Sequence, residues 1–509
     1  MKILTSEQMQ SIDRRATEQF LIPSILLMEN AALAVAQAIR SRFPEADPVA
    51  IFCGSGSNGG DGFAVARHLE SLGVTPLILI IAEKSMIKGD ARINLEICER
   101  LRLPLYELTD DDTLEEGLAR ASQADLVVDA IFGTGLNRPP EGLHADAIRG
   151  MLSLRLPIVA VDIPSGLNAS SAAIVDPVVR ADFTVTFAQP KIAHVFQPAA
   201  DYCGEILVAD IGIPHAALEA EGILLSVAEA SDFLPLFAAR KANSHKGTYG
   251  HVGIVAGSRG RSGAAILSAR GSLRMGAGLT TVITDNETAM IVDCVSVESM
   301  TLRTDIAPPA VERILADIRN FDSLLIGPGL PDEEQSYETI RAILRSAEMP
   351  AVIDATASNA FAGRLDELNP DGRSRVITPH PGEMARLLGI TPAQVNADRI
   401  NIVRDTAERT SCVVVLKGNQ TLVATPDGQV SVNPTGNPGM ATGGMGDVLG
   451  GMIAALLAGG CDPFEAARAA VFIHGSAGDL LRDKSADLGM AAMDLADMIP
   501  AAVADIRQR

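Results

Sequence analysis

Basic side chains are scarce in this chain: 42 Lys and Arg stand against 63 Asp and Glu, a formal net charge of −21. A nucleic-acid-binding surface needs the opposite balance, so nucleic acid is not expected as a partner. Small anions stay open, because backbone N–H groups bind phosphate without a basic patch. Paired cysteines are also lacking. Cys53, Cys98, Cys203, Cys294, Cys412 and Cys461 are scattered, with no CxxC pair, and read as reduced thiols of a cytoplasmic protein. No apolar run reaches membrane-spanning length, and no signal-peptide hydrophobic region follows the first residues, so no membrane partner is expected. No His/Cys cluster offers a transition-metal site, and no internal repeat is visible.

Glycine and short apolar runs are plentiful instead. The chain has 509 residues, 45 of them glycine, and is 47% hydrophobic, which suits two domains. The runs 49–53, 77–81, 126–131, 158–161, 252–256, 324–326, 351–353 and 413–416 are continuous and apolar. Most stand beside helical patterns, as buried parallel strands of α/β proteins do. The first half ends near the turn Gly212-Ile213-Pro214, and an Ala- and Leu-rich structured connector covers about 215–240. The second half is announced by Asn243-Ser244-His245-Lys246-Gly247-Thr248-Tyr249-Gly250, before the strand at 252.

The most informative stretch is Asn437-Pro438-Gly439-Met440-Ala441-Thr442-Gly443-Gly444-Met445-Gly446-Asp447. A glycine turn runs into an apolar helix expected over 448–457, with one carboxylate at the junction. Glycine lets backbone approach a ligand, and unpaired N–H groups at a helix start attract phosphate. Asp447 is badly placed to bind phosphate and well placed to take a proton from a hydroxyl attacking one.

In the first half the strand 49–53 leads into Gly54-Ser55-Gly56-Ser57-Asn58-Gly59-Gly60-Asp61-Gly62, and a helix is expected from Phe63. The pattern is Rossmann-like without the strict dinucleotide fingerprint. Asp129 closes a strand before Phe132-Gly133-Thr134-Gly135-Leu136-Asn137-Arg138-Pro139, and Asp162 closes the next before Ile163-Pro164-Ser165-Gly166. Three polar loops at three strand ends describe one crevice. The oxygens of Asn58, Asp129 and Ser165 could hold a hard cation.

In the second half, the loop 257–264 follows a strand and opens a helix expected over 265–275. Gly327-Pro328-Gly329, Asp354, Thr378-Pro379-His380-Pro381-Gly382-Glu383 and Leu416-Lys417-Gly418-Asn419-Gln420-Thr421 also stand at strand ends. Prolines hold His380 in a rigid, extended backbone, where it could contact a ligand or be structural, and Lys417 could contact a phosphate or be an ordinary strand-end lysine.

Residues 1–214 resemble the YjeF N-terminal family of NAD(P)H-hydrate epimerases. The resemblance lies in Met28-Glu29-Asn30-Ala31-Ala32, the 54–62 loop, 129–139, 162–166 and Phe187-Ala188-Gln189-Pro190-Lys191. The rest, from about 225, resembles the ADP-dependent NAD(P)H-hydrate dehydratases of the ribokinase-like superfamily, through 245–250, 257–278, 327–329, 379–383, 416–421 and 436–447. The order resembles that of bifunctional NAD(P)H-hydrate repair enzymes.

The resemblance implies a Rossmann-like domain followed by a ribokinase-like α/β domain. The first would interconvert R and S hydrates of NADH and NADPH; the second would dehydrate the S epimer, using ADP with Mg2+ and giving AMP and phosphate. It implies that Ser57, Asn58, Gly59, Gly60, Asp61, Gly133, Thr134, Gly135, Leu136, Asn137, Arg138, Pro139 and Asp162 hold the hydrate in the first domain, and that Asn58, Asp129 and Ser165 coordinate K+. In the second, Ala264, Gly329, His380 and Asp447 would contact the hydrate. Lys417, Gly418, Asn419, Gln420, Thr421 and Gly446 would contact the nucleotide. Asp129 and Lys191 are candidate proton carriers for epimerisation, and a homo-oligomer is expected from the family. Ser57, Thr356 and Met445 depart from the family's usual Asn, Asp and Thr. Two other readings stay open: a ribokinase-like small-molecule kinase fused to a Rossmann-like domain, and a nucleotide sensor without turnover.

Overall fold

A computed structural model describes residues 1–484 and 486–508. The chain divides into two compact units, Lys2–Ile223 and Leu224–Arg509, with Met1 joining the second. No helix among the described residues is long and apolar enough to cross a membrane.

The first unit is built on β1 (Val49–Cys53), β2 (Pro76–Ile80), β3 (Leu105–Glu107), β4 (Leu126–Ala130), β5 (Ile158–Val161), β6 (Phe183–Phe187) and β7 (Glu205–Ala209). They form one sheet in the order β3-β2-β1-β4-β5-β6-β7, parallel at every pairing. Every residue of β1, β4 and β5 is buried, as expected for a sheet covered on both faces. All the strands point the same way, so their following loops gather at one edge.

One helix corrects the expectation from sequence. It runs Ser57–Ser71, so Ser57, Asn58, Gly59, Gly60, Asp61 and Gly62 are helical, not loop. Here packing overrides glycine's poor helix propensity. A Cβ on Gly59 would lie 1.9 Å from the Gly54 carbonyl oxygen, and one on Gly62 would lie 2.7 Å from Cys53 Sγ and Ala130 Cβ. Only glycine lets this helix sit on the sheet. Gly59→Ala is expected to destabilise the first unit by about 1–3 kcal/mol. Gly56→Ala, where a Cβ meets nothing within 4 Å, should not. Denaturation midpoints check this, and equal midpoints for the two variants would contradict it.

The second unit carries β8 (Leu225–Val227), β9 (His251–Val255), β10 (Leu279–Thr284), β11 (Met300–Arg303), β12 (Ser323–Ile326), β13 (Ala351–Ile353), β14 (Arg375–Ile377), β15 (Val413–Leu416), β16 (Leu422–Ala424) and β17 (Val430–Val432). Their order is β11-β10-β9-β12-β13-β14-β15-β16-β17-β8. Only β16 runs antiparallel to its neighbours. Strand β8 comes from the connector and pairs with β17 at the edge.

Two helices, Ser262–Met275 and Met445–Ala458, cross closely on this sheet. A Cβ on Gly271 would lie 2.2 Å from the Val448 carbonyl oxygen, and one on Gly451 would lie 2.0 Å from that of Ser268. The first begins three residues before the expected start, and the second takes in Met445, Gly446 and Asp447. Strands β6 and β10 lie outside the apolar runs of the sequence because threonines interrupt them. Those hydroxyls are buried and bonded: Thr184 donates to the Cys203 carbonyl at 2.6 Å, and Thr280 and Ser272 share a bond of 3.0 Å.

Candidate active sites

A cavity of about 800 Å³ opens at the carboxyl ends of β1, β4 and β5. Ser57, Asn58, Asp61, Gly133, Thr134, Gly135, Leu136, Asn137, Arg138, Asp162 and Lys191 all line it. Gly59 and Gly60 instead face protein, Gly60 against Ala91 and Met28. Pro139 and Asp129 are outside the lining.

Lys191 is fully buried and has three acceptors: Asp162 Oδ1 at 2.7 Å, Thr186 Oγ1 at 2.8 Å and the Phe187 carbonyl at 3.1 Å. Burial works to raise the Asp162 carboxyl, but Lys191 and the Thr186 hydroxyl outweigh it and hold the group below its ordinary value. Asp162 sits at φ 66, a left-handed conformation that aims it at this pair. His194 is held neutral, pushed down to about 3 by burial and then by Lys191.

Asp129 is placed differently. Its Oδ1 accepts from the Ser165 hydroxyl at 2.6 Å and its Oδ2 from the Ser165 amide at 2.7 Å. Lys191 therefore pairs with Asp162, and Asp129 is bound to Ser165 behind the cavity wall. Burial pushes Asp129 up to about 6, and the only opposing influences are hydrogen bonds from Ser165 and Ile131. Asn58 Nδ2 is buried without a partner. A buried carboxylate that gains no stabilisation from a neighbouring cation, together with the Ser165 hydroxyl oxygen, fits a monovalent cation; Asn58 would join them only through its carbonyl oxygen, since the unpartnered Nδ2 is a donor.

The second site lies at the start of the helix Met445–Ala458. Gly444 caps it at φ 90, a conformation that favours glycine. Asp479 anchors the preceding turn, accepting from the Gly436 amide at 2.9 Å and Asn437 Nδ2 at 3.0 Å. Asp447 stands in the first helical turn. Burial pushes its carboxyl up to about 7; Asp354 and Glu383 add to this and Lys417 opposes it. Lys417 Nζ lies 2.9 Å from Asp354 Oδ1 and 3.7 Å from Glu383 Oε2. Burial favours loss of its proton, but the Asp354 and Glu383 carboxylates outweigh burial and raise the ammonium above its ordinary value. A Cβ on Gly446 would stand 3.3 Å from Lys417 Nζ, so a bare backbone leaves that approach open.

Residues Lys417 to Thr421 form the turn between β15 and β16. Gly418 has φ 141, and the Thr421 hydroxyl donates to its carbonyl at 2.9 Å. Arg399 donates to the Asn419 carbonyl, and Gln420 sits at φ 52. Ala264 and Gly329 meet: a Cβ on Gly329 would be 2.8 Å from that of Ala264. Thr356 donates to the Leu330 carbonyl at 3.1 Å, so it braces this loop where a second carboxylate was expected. His380 caps the helix Pro381–Leu388, its Nδ1 accepting from the Gly382 and Glu383 amides at 3.0 and 3.4 Å. That helix carries Glu383 to Lys417.

Several groups at these sites carry no sequence signal. Asp13, Thr186 and His194 belong to no glycine motif, and Thr378, which donates to Asp354 at 2.7 Å, looks like an ordinary strand-end residue.

The chain matches a family model described as YjeF-related protein N-terminus over residues 24–193, and one described as NAD(P)H-hydrate dehydratase over residues 252–501. The bifunctional NAD(P)H-hydrate repair enzyme Nnr of Moorella thermoacetica is 41% identical over 512 residues, covering 98% of this chain and 96% of that one. The enzyme of the same name from Escherichia coli is 34% identical, covering 95% and 90%. Among solved structures, the ADP/ATP-dependent NAD(P)H-hydrate dehydratase of Bacillus subtilis, co-crystallized with ATP/Mg2+, is 32% identical with a TM-score of 0.50 and covers 55% of this chain and 98% of that chain. With both domain families present in one order, and relatives above 30% identity along nearly all its length, the chain belongs to the bifunctional NAD(P)H-hydrate repair enzymes.

Proposed function

We propose that the first-unit cavity interconverts the R and S hydrates of NADH and NADPH, and that the second-unit site dehydrates the S epimer with ADP. The observation that carries the second half is Asp447. It is a partly buried carboxylate raised to about 7, in the first turn of a helix whose unpaired N–H groups follow a glycine turn.

Hydroxide is a poor leaving group, so the C6 hydroxyl must first be esterified. Asp447 accepts the hydroxyl proton while the oxygen attacks the terminal phosphoryl group of ADP, releasing AMP. The N–H groups of Gly444 to Gly446 and the Lys417 ammonium face the developing negative charge. The ring-nitrogen lone pair then expels phosphate, and loss of a C5 proton completes the dihydronicotinamide. Ala264, Gly329 and His380 would seat the hydrate, and residues 418–421 the nucleotide. Among the described residues no group of three or more His, Cys, Asp or Glu could hold a metal. Mg2+ would therefore arrive on the nucleotide phosphates and neutralise part of their charge.

In the first unit, residues 57–61 and 133–139 with Asp162 would hold the hydrate. K+ would sit among Asn58, Asp129 and Ser165, supplying the positive charge that Asp129 lacks and tying the helix Ser57–Ser71 to the ends of β4 and β5. Asp129 then serves as an anchor, and proton transfer falls to groups that face the cavity. The expected homo-oligomer, in the cytoplasm, belongs to the same proposal.

Asp447 must be ionised to act as a base. Dehydration kcat/KM is therefore expected to fall as pH drops through about 7, the value to which the Asp447 carboxyl is raised. A profile flat from pH 5 to 8 would remove Asp447 from the base role. Nucleotide products test the reaction itself: AMP should form from ADP only with hydrate present. ADP formed from ATP and an alcohol, with no use of hydrate, would indicate a kinase instead.

A further inference from the structure

The helix Ser6–Glu18 holds no glycine motif and no residue of the proposed site, yet one of its faces walls the first-unit cavity. Met9, Gln10, Asp13, Arg14 and Thr17 line it. Their spacing marks a single helical stripe. The helix is fixed at both ends. Thr5 and Gln8 form a capping box, and Arg15 pairs with Glu221 at 3.2 Å while donating to the Ala217 carbonyl at 3.0 Å. Just before it, the Leu4 amide donates to the Pro190 carbonyl at 2.9 Å, in a parallel bridge between Leu4 and Lys191. The backbone that presents Asp13 is thus hydrogen-bonded to the backbone that presents Lys191.

The charges around Asp13 are unbalanced. Asp61 faces it from the helix Ser57–Ser71, Asp162 from the end of β5, and Lys191 from beyond β6. His194, next to Lys191, is neutral. Arg14, Arg138 and Asp90 stand in the same lining. Lys191 is committed to Asp162, so Asp13 and Asp61 line the same cavity with no ion pair of their own among the described residues. Two such carboxyls do not ionise together readily, and a proton stays with the pair. Burial, then Asp162 and Asp13, push Asp61 well above the carboxylate range. Asp13 is raised to about 6 by burial and Asp162, with Lys191 opposing. Burial and the neighbouring carboxylates favour the protonated form at Asp61 more strongly than at Asp13, so the cavity holds one carboxyl suited to give a proton and one suited to take it.

We propose that Asp13 is a catalytic residue of epimerisation, the base that takes the C6 hydroxyl proton while Asp61 gives its proton to the departing ring nitrogen. The O–H pair becomes the second bond of a carbonyl at C6. The C6–N1 pair passes to N1, which Asp61 protonates, and the ring is open as an aldehyde. Rotation about C5–C6 presents the other carbonyl face. N1 adds back, returns its proton to Asp61, and Asp13 returns the other to oxygen. Atoms and electrons balance with no oxidant and no second reactant. This rests on assigning the cavity to epimerisation.

The test uses the full chain and the purified R hydrate of NADH without ADP, following the epimer ratio over time. Dehydration of the S hydrate with ADP, in the same preparation, reports on folding and on the second unit. Wild-type kcat should rise as pH increases through about 6. Asp13→Asn should lose about 100- to 10,000-fold in kcat, with KM little changed and the pH limb gone. Asp13→Glu should recover part of kcat, which a purely structural role would not give. Wild-type kcat and pH limb in Asp13→Asn, or a loss confined to KM, would overturn the proposal. Wild-type protein that dehydrates S hydrate but never epimerises R would instead sink the assignment of the cavity, and the proposal with it.

Discussion

Asp447→Asn is expected to slow dehydration of the S hydrate by about 100- to 10,000-fold in kcat. The side chains are nearly the same size, so the first turn of the helix Met445–Ala458 keeps its packing. What is lost is the proton acceptor. The substitution would also lift the repulsion among Asp447, Asp354 and Glu383, the carboxylates that share Lys417. KM for ADP should therefore stay level or fall, since phosphate would meet less negative charge. Epimerisation in the other unit should be untouched. Release of AMP under saturating ADP and hydrate measures the effect. A kcat within tenfold of wild type would show that the hydroxyl proton leaves by another route.

Lys191→Met is expected to have the largest effect on stability and to abolish epimerisation. The ammonium is fully buried and satisfies Asp162, Thr186 and the Phe187 carbonyl. Removing one partner of a buried pair strands the other, at a cost of about 3–5 kcal/mol. The sign with pH follows from Asp162, whose folded-state value lies below its ordinary one. In the wild type the pair stabilises the fold above the ordinary carboxylate value, and this is lost as pH falls through the depressed one. In the variant, Asp162 has lost the cation that held it down, so its burial penalises folding at neutral pH and relaxes as it protonates. The gap in denaturation midpoint between the two proteins should narrow on acidification. Lys191→Met combined with Asp162→Asn should recover most of the stability and none of the epimerisation. A single variant with a wild-type midpoint would contradict these roles for the pair.

How much of this is legible in sequence depends on how local the cause is. Strands β1, β4, β5, β13 and β15 are nearly all Val, Ile, Leu, Ala, Phe or Cys, and such runs announce burial on both faces. Strands β6 and β10 are hidden because buried threonines find partners that only the fold supplies. Glycines at 59, 60 and 62 suggest a loop by propensity, and tertiary contact makes them a helix instead. The same holds for the sites. Asp447 is visible because glycine turn, helix start and carboxylate are adjacent. The cluster Lys417, Asp354 and Glu383 is not, since Lys417 and Asp354 lie 63 residues apart in the chain. Asp13 belongs to no motif at all, and only the fold, which sets one face of its helix against the cavity and bridges Leu4 to Lys191, shows that it belongs there. Thr356 illustrates the converse: a departure from the family pattern that the structure explains by its bond to Leu330.

The central claim is that one chain carries both activities. The most direct measurement supplies wild-type protein with a mixture of R and S NADH hydrates and excess ADP, and follows the return of reduced-nicotinamide absorbance. Both epimers should convert to completion, with no conversion by Asp447→Asn on the same time scale. Conversion that stops once the S epimer is spent would contradict the role given to the first-unit cavity, and no conversion at all would contradict both assignments together.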